Sequence, residues 1–336
     1  MKKILFCFLT ALLFLFPLVS CEKNTEKTVV RLNEVTHSVF YAPLYYAINA
    51  GYFEKEGLEI ELTNGGGADK SMTAILSGSA DVGFMGPESA IYVYQQGKTD
   101  FPVVFGQLTK RDGSFLVSRK NEPHFKWEDL AGKYVIAGRR GGVPAMTFAY
   151  VCNQHGLRDG ENVTLDMDVA FNLMAGAFEG GLGDYCTMFE PTASEFQAAG
   201  KGYIVASVGK ESGEIPYTCF IAKKSYLENN PETVKRFLRA VYAALRDVKT
   251  LPAEKIAEVI APSFAGTALS SLAVAVKSYV DIDAWCYDMT MTEDAFLRLQ
   301  TVMKNAGELS EYAPYDKLTS LSAASGLYAE FFPENP

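Results

Sequence analysis

The chain has 336 residues, 48% of them hydrophobic and 21% charged, with a formal net charge of -9. That is material for one large or two medium hydrophobic cores, and it excludes a protein that grips nucleic acid through a basic face. Net charge does not choose a small ligand, because a local site can take either sign.

The N-terminus opens with Lys2 and Lys3, runs almost wholly apolar from Ile4 to Val19, and turns polar directly after Ser20 and Cys21. A basic start, an apolar stretch and small residues at its end describe an export signal over residues 1–20. The stretch is short for a membrane span, which needs roughly 20 apolar residues; the competing reading is an uncleaved anchor. Leu18-Val19-Ser20-Cys21 resembles the bacterial lipobox, which implies a lipid on Cys21 that holds the mature chain at a membrane. Residues 21–29, without apolar periodicity, read as a lipidated flexible tether.

Short strands and helices then alternate. A strand fits 29–32, a helix 42–50 with Pro43 tolerated in its first turn, and a half-exposed strand 58–62. Gly65, Gly66 and Gly67 lead into a helix over 68–76. A strand over 81–84 runs to Gly86, Pro87 and Glu88, and a helix follows over 89–96. Strands fit 102–107 and 114–118. The same alternation recurs beyond, with strands at 134–137, 163–167, 184–189 and 203–208, and helices at 144–154, 172–178 and 192–199. A last strand fits 217–222, and the remainder reads as helices over 231–247, 253–260, 269–280 and 292–306. The first of these carries an apolar face of Val234, Phe237, Leu238, Val241, Ala244 and Leu245.

This order predicts an α/β protein with largely parallel sheets covered by helices. A helical tail with no sheet of its own packs back on the first unit. The expected layout is a discontinuous first lobe, 30–118 plus 215–336, and an inserted second lobe, 119–214. Two crossovers, near 115–120 and 214–221, form a hinge with a cleft between the lobes.

Four cysteines beyond Cys21 (Cys152, Cys186, Cys219 and Cys286) are widely spaced, and there are three histidines. No metal site is read from that spacing, and the cysteines read as buried free thiols.

The segments Gly51–Leu62, Gly65–Gly67 and Ser77–Glu88 resemble the binding components of ABC importers, in the NMT1/THI5-like group. Gly183–Ala193 is similar to the counterpart in the second lobe. The resemblance implies a two-lobed type II periplasmic-binding-protein fold that closes on a ligand and docks on a permease with its ATPase. It also implies a place on the outer face of the cell membrane, monomeric action and no cofactor. The group includes binders of thiamine pyrimidine precursors, alkanesulfonates, taurine and nitrate.

Cleft residues are expected where strands end and helices begin. Thr36, His37 and Tyr41 form the first group; His37 either bonds a ligand ring or is structural. Gly66, within its glycine run, permits close backbone approach or merely makes a turn. Gly86, Pro87, Glu88 and Ser89 form a sharper group, although Glu88 also suits a helix start. Gln107 offers an amide at a strand end. Arg139 and Arg140, with Gly141 and Gly142, either hold an anion or point to solvent; Thr147 lies one turn further on. Glu190, before Pro191, can accept from an exocyclic amine or ring N–H, and the resemblance gives it that role in pyrimidine-precursor binders. Tyr41 is the favoured aromatic.

The leading expectation is an exported lipoprotein that captures a thiamine pyrimidine precursor, with a sulfonate, nitrate or other small anion as the alternative. THI5-like synthases share the fold, so catalysis is the competing class; no H-E-x-x-H or G-x-S-x-G segment supports it. An adhesive surface lipoprotein is a further class, separable by an occupied interlobe cavity.

Overall fold

The computed structural model describes residues 27–333. The export signal, Cys21 and all of the 21–29 tether before Lys27 lie outside the described residues.

Two five-stranded sheets organise the chain, in the order β2-β1-β3-β10-β4 and β7-β6-β8-β5-β9. The first contains β1 (Thr28–Glu34), β2 (Leu58–Asn64), β3 (Val82–Met85), β4 (Pro102–Thr109) and β10 (Thr218–Lys223). The second contains β5 (Ser114–Ser118), β6 (Tyr134–Ile136), β7 (Thr164–Asp166), β8 (Tyr185–Phe189) and β9 (Tyr203–Ser207). Within the first sheet β1 pairs in parallel with β2 and β3, while β10 runs antiparallel to β3 and β4. The second repeats that plan: β6 is parallel to β7 and β8, while β5 is antiparallel to β8 and β9. Each lobe thus has one reversed strand, entered directly from a crossover. With helices flanking both sheets, this is the two-lobed α/β architecture of the type II periplasmic-binding-protein fold.

The crossovers differ from expectation. Ser114–Ser118 pairs along its whole length with β8 and β9, so it belongs to the second sheet and the outward crossover is 110–113, not 115–120. β4 and β5 are both buried throughout, and a strand buried on both faces carries no exposed–buried alternation to say which sheet it joins.

The C-terminal helices also reach further than expected. Pro231–Thr250 buries its six expected apolar residues against the helices Ala42–Asn49 and Ser322–Phe331 of the first lobe. Leu269–Asp281, however, touches both the 3-10 turn Val39–Tyr41 and the second-lobe helix Thr192–Ala198. Glu293–Asn305 packs on Glu88–Gln95 and on Val143–Gln154. Trp285, 1% exposed, donates its indole N–H to the Phe40 carbonyl at 2.9 Å and ties the tail to the first lobe; full burial of such a ring contributes about 2–3 kcal/mol.

Cys152, Cys186, Cys219 and Cys286 are free and buried. Among the described residues no helix is long and apolar enough to cross a membrane.

Candidate functional site

The strand ends that face one another across the lobes enclose a cavity of about 780 Å³. From the first lobe it takes Thr36, His37, Tyr41, Gly66, Gly86 and Glu88, and from the second Gly142 and Glu190, all expected from the sequence. The turn Gly65–Gly67 starts the helix Ala68–Ser77. Gly67 has φ +155°, a conformation that side-chain-bearing residues rarely adopt. Gly142 precedes the helix Val143–Gln154. Two helix starts, with their free N–H groups and positive dipole ends, therefore meet the cavity from opposite lobes.

His37 lines the cavity but its nitrogens are engaged. Nδ1 lies 2.9 Å from Glu34 Oε1 and Nε2 2.7 Å from the Ser263 carbonyl. The Ser263 carbonyl can only accept, so Nε2 carries a proton, and the Glu34 carboxylate favours a proton on Nδ1 as well. The Glu34 bond raises its pKa above the usual histidine value, against burial and with help from Ser263. The ring also packs on Phe264, 4.7 Å between centroids. His37 thus fastens the β1 loop to residue 263, with its ring set directly against the Glu34 carboxylate.

The two strand-end carboxylates differ. Glu190 is 2% exposed; it accepts from the Ser194 hydroxyl at 2.6 Å, the Ser278 hydroxyl at 2.8 Å and the Ser194 N–H at 3.0 Å. Its own N–H donates to the Tyr279 hydroxyl at 3.0 Å. Glu88 is 4% exposed and its Oε2 has no partner. The carboxyl folds back so closely that a Cβ on Gly86 would lie 1.9 Å from Oε2. Burial pushes the Glu88 pKa up to about 7, opposed by the backbone N–H groups of Glu88 and Ser89, the Ser89 hydroxyl and the charge of Arg139. Near neutrality this group is close to half protonated.

Six expected residues lie off the cavity. Pro87 and Ser89 are buried under the helix start that Glu88 opens. Gln107 is 2% exposed and gives its amide to the Thr109 carbonyl at 3.1 Å; β4 continues to Thr109, so Gln107 is not at a strand end. Arg140 points to solvent and pairs with Asp168 at 3.6 Å. Gly141, at φ +73°, turns the chain so that Arg139 and Gly142 face the cavity instead. Its carbonyl accepts from the Tyr92 hydroxyl of the other lobe at 3.5 Å. Thr147 is wholly buried outside the cavity.

Arg139, the other arginine of the expected pair, does line the cavity and pairs with Asp69 of the other lobe at 3.7 Å. Several further lining residues were not singled out from the sequence, Lys70 among them. Phe171, Phe189, Tyr217 and Phe264 add aromatic surface to that of Tyr41. Only the aromatic spacing could have hinted at them.

A family model described as "NMT1/THI5 like" matches residues 39–255. The chain belongs to the NMT1/THI5-like family. Among similar proteins, the putative binding protein YtlA of Bacillus subtilis (strain 168) is 39% identical over 320 residues, 95% of this chain and 96% of its own. The 4-amino-5-hydroxymethyl-2-methylpyrimidine phosphate synthase of Schizosaccharomyces pombe is 24% identical over 233 residues, 66% of this chain and 65% of its own. Among solved structures, the alkanesulfonate-binding protein SsuA of Xanthomonas axonopodis pv. citri, bound to MOPS, superposes with a TM-score of 0.69. That match has 14% identity and covers 88% of this chain and 99% of that one. This NMT1/THI5-like protein is a solute-binding component of an ABC-type import system: it binds a small molecule outside the cytoplasm, at the membrane, and feeds it to a permease with its ATPase. Family and fold fit transport rather than catalysis.

Proposed function

We propose that the captured solute is a small organic anion with an apolar or aromatic body, of the sulfonate or carboxylate class. Lipid on Cys21 would keep the binder beside its permease. The observation that carries the reading is the sign of the cavity wall in a chain of net charge -9. Arg139 and Lys70 line it together with two helix starts, an arrangement that attracts anions. Of the two lining carboxylates, Glu190 is occupied by three donors and burial drives Glu88 toward its neutral form. The aromatic residues suit the body of the ligand. Thr36, Tyr41, Gly66, Gly86, Glu88 and Gly142 are the site residues kept from the sequence reading, with Arg139 replacing Arg140.

A second reading, a neutral aminopyrimidine, is favoured by one observation: Glu88 Oε2 has no hydrogen-bond partner within the protein. The pH dependence of affinity separates the two. A protonated Glu88 donates to an anion, so anion affinity falls as pH rises through about 7. An ionised Glu88 accepts from an amine, so pyrimidine affinity falls as pH drops through the same range. Calorimetry of benzenesulfonate, nitrate and 4-amino-5-hydroxymethyl-2-methylpyrimidine between pH 5.5 and 8.5, as set by that range, tests both. Binding by the pyrimidine alone would reject the anion reading.

A further inference from the structure

A turn between two tail helices forms one edge of the cavity. Ala261–Ser263 makes a 3-10 turn after the helix Ala253–Ile260, and Phe264, next in line, puts its ring on the cavity wall. The turn has few bonds of its own: Phe264 N–H donates to the Ala261 carbonyl at 3.0 Å and Thr267 N–H to the Phe264 carbonyl at 3.1 Å. Such a segment does not by itself fix a half-buried ring. The first lobe supplies the rest. His37 Nε2 donates to the Ser263 carbonyl at 2.7 Å, and Asn49 Nδ2 reaches Ser263 Oγ at 2.9 Å and the Val259 carbonyl at 3.0 Å. The Phe264 ring packs on His37 and Tyr45, with centroids 4.7 Å and 5.0 Å away.

His37 is itself held from behind. Its Nδ1 lies 2.9 Å from Glu34 Oε1 and 3.0 Å from the Tyr45 hydroxyl, which donates to Glu34 Oε2 at 2.5 Å. Glu34 and Tyr45 are the titratable groups against the ring; Ser263 offers a carbonyl and Phe264 an apolar face. Two acceptors, Glu34 and the Ser263 carbonyl, therefore draw on the ring's protons. With both nitrogens protonated, both are served. With one proton, either a bare Nδ1 faces a carboxylate or the Ser263 carbonyl loses its donor. Tyr45 can repair the first case only by turning away from Glu34, which is 2% exposed and would lose a donor. The Glu34 bond raises the ring's pKa above the ordinary 6.5 while burial opposes it. The full clamp is thus present below about 6.5 and is lost as pH rises through the raised value.

We propose that His37 is a positioning residue for Phe264: its two-sided clamp fixes that ring as one side of the cavity, and Phe264, so held, selects a solute with a planar body. A ring fixed in advance offers its face without an ordering cost, and a planar ring meets it better than a puckered one. His37 acts through Phe264 and not on the solute. The selection rests on the reading of this cavity as the site of an anion with an apolar body; the clamp does not.

Benzenesulfonate and cyclohexanesulfonate carry the same anion on a six-membered ring, planar in one and puckered in the other. Calorimetry on the full chain at about pH 5.5 and about pH 9, on either side of the histidine range, gives the ratio of their affinities. Taking the ratio at each pH cancels what Glu88 does to both anions alike. Wild type should favour benzenesulfonate by about fivefold at the acid pH, the equivalent of one aromatic face contact, and by about twofold or less at the alkaline pH. Phe264→Leu should give about twofold or less at both, and so should His37→Ala, although Phe264 is still present. His37→Gln keeps an N–H for the Ser263 carbonyl and does not titrate, so its ratio should be the same at both pH values. A wild-type ratio near one at the acid pH or indifferent to pH, a ratio that survives His37→Ala, or a glutamine variant with the wild-type pH profile overturns the proposal. If neither sulfonate binds, the anion reading and the planar selection fall together, and hydrogen exchange in the ligand-free protein decides the clamp. Residues 261–267 should then exchange at least about threefold faster in His37→Ala than in wild type at the acid pH; equal rates overturn the clamp as well.

Discussion

Glu88 and Glu190 occupy matching places in the two lobes. Each stands where a buried strand gives way to a helix, beside a proline, on the wall of the same cavity. Their neighbours make them opposites. Glu190 has three donors within 3.0 Å, so its oxygens are already partnered within the protein. Glu88 has an unpaired oxygen and a pKa pushed up to about 7. A strand end therefore delivers a carboxylate to a cleft, but the local supply of hydroxyl and N–H groups decides whether it serves the fold or the ligand.

The largest effect that would break this contrast comes from Glu190→Ala. It leaves the Ser194 and Ser278 groups without their acceptor, and removing a charged hydrogen-bond hub of this kind costs about 3 kcal/mol. The urea unfolding midpoint should fall accordingly; an unchanged midpoint would mean that Glu190 is not structural. Glu88→Gln should act in the opposite direction and only at higher pH. The folded-state pKa of Glu88 lies above its ordinary value of 4.5. The folded state therefore holds the proton longer, and stability falls as pH rises from about 4.5 to about 7 and then levels off. A neutral glutamine removes that loss, so the variant should gain about 1–2 kcal/mol at pH 8 relative to wild type and little at pH 4.5. Equal curves at both pH values would return Glu88 to the class of Glu190.

Smaller changes sharpen the picture. Ser278→Ala removes one donor from Glu190 and should cost about 1 kcal/mol by the same unfolding measurement. Arg139→Ala should change stability by less than about 0.5 kcal/mol, because its partner Asp69 is also exposed. It should nevertheless weaken benzenesulfonate binding and flatten the dependence of that affinity on salt. A loss of stability with no loss of binding would place Arg139 in the fold alone.

Much of this arrangement is legible in the sequence. The alternation of strands and helices predicted both α/β units, and the rule that clefts form at strand ends reached Thr36, Gly86, Glu88, Gly142 and Glu190. Three things were not legible, for physical reasons. The partner sheet of β5 is set by tertiary pairing, since five consecutive buried residues carry no facing signal. The choice of Arg139 over Arg140 depends on the positive φ of Gly141, which re-aims neighbouring side chains. Phe264 reaches the cavity by packing on His37, which also bonds the carbonyl of Ser263, 226 residues later in the chain, and no local pattern encodes so distant a contact.

The bond between Ser278 and Glu190 has a mechanical consequence. A helix of one lobe holds the corner of the other through a buried hydroxyl–carboxylate contact and the Tyr279 hydroxyl. The opposite rim is spanned by the solvent-washed Arg139–Asp69 pair and the long Tyr92–Gly141 contact. Ions in the medium weaken the second seam and hardly touch the first. The jaws should accordingly part at the arginine side while the serine side acts as the spine of the book, so that entry and release share a single doorway.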